Sequence, residues 1–191
     1  MSMETTSLKR LMKEGGKYLF WGIFLGVVIQ TILYSTAPHI APKVTHAGFT
    51  LVGKKVSLLE ALGLRKVFSI FFGNLISIAI IVGFPELGLR YDNYPKMYID
   101  VFPKVAIFFI GLVSLGLIFP PLMDLNLFIF FLFYLIPHGI TELTAMLLAY
   151  TIPREYSFDL KRPFPKRRTY LIVLLLAFSA IMEIHVSIPF A

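Results

Sequence analysis

The stretch FYLIPHGITELTAML, Phe133 to Leu147, places a proline, a histidine and a glutamate inside one of the most apolar segments of the chain. Pro137 has no amide hydrogen to donate to the carbonyl four residues back, and its ring crowds that turn. The helix that starts near Leu127 is therefore expected to break at Pro137 and to restart with the proline as its first residue. A restarted helix bares amide donors at bilayer depth, which only protein or a watery cavity can satisfy. In transporters such positive helix starts face anions or substrates. His138 and Glu142 follow four apart on one face, within reach of each other or of a shared ligand. Ala145 and Ala149 continue that face towards a neighbouring helix. The plainer alternative is a His–Glu pair that satisfies itself at a kinked helix contact.

The surroundings of this stretch are those of a membrane protein. Of the 191 residues 57% are hydrophobic and the mean hydropathy is +0.78, beyond the roughly 45–50% apolar content of soluble domains. The length suits a single integral domain, residues 1–191, without room for a separate soluble module. Cysteine is absent, which excludes disulfides and thiolate metal sites. Scarce Asn and Gln beside zero Cys suit a heat-adapted source. The net charge of +7 is carried by residues that flank apolar runs instead of forming a stripe interleaved with aromatics. Lipid headgroups fit that distribution, and nucleic acid does not.

Five hydrophobic segments are expected: Tyr18 to Ser35, Val67 to Phe84, Val101 to Phe119, Leu127 to Tyr150 and Tyr170 to Phe190. The fold class is thus an all-α polytopic transmembrane bundle with its fourth segment broken at Pro137. The first segment is too long for a signal-peptide core and should remain as an anchor. Arg154, Lys161, Arg162, Lys166, Arg167 and Arg168 mark one loop as cytoplasmic. Lys9, Arg10, Lys13 and Lys17 do the same for the amino terminus, and four intervening spans agree in parity. The connection 38–66 opposes this scheme, since it carries Lys43, Lys54, Lys55, Arg65 and Lys66 on the side placed outside. Within it, Ser57 and Glu60 have capping-box spacing, so SLLEALGLRKV reads as an interfacial helix.

Polar residues inside the spans mark helix contacts or sites. Gly22, Gly26 and Gln30 fall four apart, a small-residue stripe suited to close helix packing, with homo-oligomerisation through this face expected. Ser69, Gly73 and Ser77 form a second stripe beside Asn74, whose amide lies near mid-span. Glu183, flanked by Ser179 and Ser187 one turn either way, is a second buried carboxylate that needs a proton, a cation or a hydrogen-bonding neighbour. His138, Glu142, Asn74 and Glu183, on three spans, are expected to form one polar cluster at membrane depth.

The segments IPHGITELTAMLLA, FSIFFGNLISIAIIVGF and LLAFSAIMEIHVSIPF resemble, in order and spacing over roughly residues 60–190, the stage II sporulation protein M family of small polytopic membrane proteins. The resemblance implies that the family motif falls on His138, Gly139 and Glu142, with Asn74 and Glu183 as its further polar positions. It also implies partner proteins, since sporulation members act with partners in cell-wall remodelling.

Three function classes follow. A scaffold or transport-linked, permease-like component would use the stripes for assembly and the polar cluster as its working element. A proton or ion path would use Glu142 and Glu183 as a relay. An intramembrane metal-dependent hydrolase would need His138 and Glu142 joined by Glu183, His185 or His39 around a metal with an open water position. His138 and Glu142 alone lack the second histidine of a zincin helix. No cofactor is required by the sequence, and a divalent metal is compatible with it.

Overall fold

A computed structural model describes residues 2–47, 66–91, 97–116, 125–156 and 165–187, and all of the regular structure among them is helical. Helix α1 (Ser2–Thr36) turns at 37–40 into a short helix α2, described over 41–47. Helix α3 (Lys66–Tyr91) is followed by α4 (Phe102–Ile110), which is wound more loosely at both ends by the π-helical turns Met97–Val101 and Gly111–Gly116. Helices α5 (Leu125–Tyr156) and α6 (Lys166–Ser187) complete the order. The interfacial helix expected around Ser57 and Glu60 lies outside the described residues.

Two of these helices, α1 and α3, are long and apolar enough to cross a membrane. The surface agrees with a hydrocarbon solvent, because large apolar side chains point outward on several helices. Phe20 is 60% exposed on α1 and Leu174 66% exposed on α6, with Phe72 and Phe109 outward on α3 and α4. Outward apolar faces on this scale mark contact with lipid or protein.

The expected break at Pro137 does not occur. Helix α5 runs through 32 residues without interruption. A proline deletes one hydrogen bond of the ladder, and the turns on both sides keep theirs. Helices of membrane proteins tolerate such a loss because neighbouring groups re-satisfy the freed carbonyl. Helix α3 does the same at Pro85, which is fully buried. Glu142 therefore stands on the side of a continuous rod, and no helix start faces it.

The contacts fix the relative directions of α1, α3, α4, α5 and α6. Gly22 lies against Phe108 and Leu112, and Gly26 against Gly116, so α1 and α4 run parallel. Glu14 meets Arg154 while Leu19 shares a core with Leu143 and Leu147, which makes α5 antiparallel to α1. Arg168 reaches Thr151 and Ser179 reaches Glu142, so α6 is antiparallel to α5. In α3, Asn74 meets Glu142 while Ile78 and Ile81 pack in the core with Ile152, which sets α3 parallel to α5. Helices α1, α4 and α6 thus point one way, and α3 and α5 the other.

The main core lies between α3, α5 and α6, built from Ile78, Ile81, Ala145, Leu148, Ala149, Ile152, Ile172 and Leu176. Small Ala145 and Ala149, both fully buried, let α5 sit close to its neighbours. The crossing of α1 and α4 is closer still. A Cβ at Gly26 would fall 2.5 Å from the Cα of Gly116, and one at Gly111 2.5 Å from the carbonyl oxygen of Leu19. The stripe on α1 is thus consumed inside the subunit, which corrects its expected role as a homo-oligomer contact. Gln30, fully buried on the same stripe, donates from Nε2 to Oγ1 of Thr45 at 3.0 Å and so ties α2 to α1.

Candidate functional site: a carboxylate cluster between three helices

Helices α3 and α5 bring one polar group each, and α6 two, to a common point beside the apolar core. Asn74 donates from Nδ2 to Oε1 of Glu142. The hydroxyl of fully buried Ser179, on α6, is hydrogen-bonded to the same carboxyl group. Glu183, one turn beyond Ser179, stands within Coulombic reach of Glu142, and the charge of Lys66, at the start of α3, also acts on it.

Each residue is positioned by its helix. Asn74 follows the buried pair Ser69 and Gly73, whose small side chains let α3 approach its neighbours. Glu142 precedes buried Ala145 by one turn, so the carboxyl lies at the edge of the closest part of the contact. Along α5, Glu142 lies twelve residues from Arg154, about 18 Å of axial rise.

No family model, no curated protein and no solved structure matches this chain. The roles of its residues therefore rest on its own geometry.

His138 and Gly139 lie on α5, one turn before Glu142, with Gly139 buried. The side chains of His138 and His185 are outside the described residues. His39 sits exposed in the turn after α1. Among the described residues no three His, Asp or Glu side chains come together as metal ligands.

A second polar network, at the other end of α5, has no counterpart in the sequence reading. Glu14 of α1 accepts from Lys104 of α4 at 3.2 Å and from Arg154 of α5 at 2.8 Å. Arg154 also reaches Asp100 at 3.3 Å and donates to the hydroxyl of Tyr150 at 2.9 Å. Arg168 of α6 donates to Oγ1 of buried Thr151 at 2.9 Å. Four helices are thus pinned together about three turns from the carboxylate cluster. Glu14 and Arg154 are 140 positions apart, so no local spacing rule links them. For Ser179 the spacing was informative, since it lies one turn from Glu183 on the same face.

Proposed function

We propose that this chain is a multi-pass integral membrane protein in which the cluster of Asn74, Glu142, Ser179 and Glu183 is the working element of a small scaffold or transport-linked, permease-like component, akin to stage II sporulation protein M. The observation that carries it is the meeting of two carboxyl groups, an amide and a hydroxyl from three helices at a depth where such groups are expensive and by default functional. Five spans with the amino terminus in the cytoplasm are part of the proposal. The alternating helix directions support this, because they gather Lys9, Lys13, Lys17, Lys104, Arg154 and Arg168 at one end of the bundle. Lys66, a basic residue on the opposite side, has Glu183 as a counter-charge.

The proximity of Glu142 and Glu183 favours one second reading, a proton or ion relay through the pair. Reconstitution separates the two. In proteoliposomes with an internal pH indicator, a relay gives flux that Glu142→Gln and Glu183→Gln abolish. A scaffold gives no flux but a co-purifying membrane partner, lost in Glu142→Gln protein that still inserts and folds. If Glu142→Gln keeps the fold, the partner and any flux, the cluster is only structural and the proposal fails.

A further inference from the structure

We infer that the outward face of α1 is a binding site for anionic phospholipid, with Lys9, Lys13 and Lys17 on the headgroup and Phe20, Trp21 and Phe24 along the acyl chains. At 3.6 residues per turn these six positions fall within an arc of about 120° on one side of the helix. The three lysines are exposed. The rings are exposed too, by 60%, 57% and 50% in order. They form a mutual cluster, Trp21 edge-on to Phe20 at 5.9 Å and to Phe24 at 5.6 Å. Lys17 lies one turn before Trp21, so the basic face passes directly into the aromatic one.

Charge complementarity selects the occupant. The acid nearest this face, Glu14, is turned away to Lys104 and Arg154, and the helical repeat puts Glu4 on the opposite side of α1. Among the described residues no ion pair is formed by these lysines, so their charge suits an outside anion. Juxtamembrane lysines attract anionic headgroups, while tryptophan favours the headgroup level and phenylalanine the chains below. A soluble acidic partner would meet the lysines and leave the rings uncovered. A second copy of the chain on this face would set lysine against lysine. A single phospholipid offers a negative head and an apolar tail in the same order as the helix.

This inference rests on the chain crossing a bilayer, and the chain supplies its own probe, because Trp21 is its one tryptophan. The full chain is reconstituted in vesicles of phosphatidylcholine and phosphatidylglycerol at equal mole fractions, with bromine carried on the acyl chains of one lipid or of the other. Stronger quenching of Trp21 by the brominated anionic lipid is expected, corresponding to a relative binding constant of at least about threefold. Lys9→Gln with Lys13→Gln and Lys17→Gln should bring that ratio to near one, as should high salt. Lys17→Gln alone should lower it in part, which covers poor folding of the triple variant. Lys166→Gln with Arg167→Gln, on α6, should leave the ratio unchanged. Equal quenching by the two lipids in the wild type overturns the inference but keeps Trp21 in lipid, so the membrane reading stands. A triple variant with the wild-type ratio overturns it as well. Quenching by neither lipid in protein that floats with the vesicles means that another protein surface covers the face, and this too rejects the site. Protein that does not float removes the membrane reading itself.

Discussion

At the scale of single residues, the bond between Asn74 and Glu142 is the most exacting feature of the molecule. It joins α3 to α5, and α6 adds the hydroxyl of Ser179 and the carboxyl group of Glu183 beside it. Interhelical hydrogen bonds in membranes are worth on average about 0.6 kcal/mol and up to about 2 kcal/mol. Asn74→Ala should therefore lower stability in detergent by about 1 kcal/mol, measured by unfolding in mixed micelles. In a double-mutant cycle with Glu142→Ala the two losses should not add, because both remove the same bond. Strict additivity would show that the pair is not coupled. Each polar residue was individually legible as an anomaly in an apolar run. Their pairing was legible only as an expectation, because 68 positions separate Asn74 from Glu142 and no local rule bridges them. The tie between Glu14 and Arg154 had no signal at all, since both sit among the charges that ordinarily flank a span.

At the scale of elements, the apolar lengths read from the sequence correspond to helices, while the expected interruption at Pro137 does not. Proline rules weigh one lost bond and one steric clash locally. A 32-residue helix distributes that loss over packing on both sides, so the continuous rod prevails. The glycine stripe was legible as a packing face, but not which helix it would meet. The partner is α4, through Gly111 and Gly116. A Cβ at Gly22 would run into the backbone carbonyl of Phe108, which moves only if the helices part. Gly22→Ala should cost about 1–3 kcal/mol, as overpacking does. A Cβ at Gly83 meets nothing within 4 Å, so Gly83→Ala should be neutral or gain about 0.5–1 kcal/mol from helix propensity. Thermal melts of the two variants side by side decide the matter, and equal effects would contradict the close crossing.

At the scale of the whole molecule, the alternating directions of the helices make a simple demand on topology. Residues 13 and 167 lie at one end of the bundle, residue 43 at the other. The absence of cysteine makes each introduced thiol the only one in the chain. Cysteine placed at Lys13 or Arg167 should be shielded from a membrane-impermeant maleimide in intact cells, and cysteine at Lys43 should be labelled. The reverse pattern would invert the orientation, and labelling of both ends would break the alternation. The close crossing of α1 and α4 also carries a consequence for biosynthesis. Gly116 leaves the ribosome about 90 residues after Gly26, which at roughly 5–20 residues per second leaves the groove of α1 open for about 5–20 s. During that interval the nascent chain presents a glycine face whose partner in the finished fold, α4, has not yet been made. A fragment ending at Tyr91 should therefore dimerise through α1 in detergent, and Gly26→Leu should abolish that dimer. In the finished chain the same surface is already occupied by α4, so pairing of two copies through it is expected only before α4 arrives.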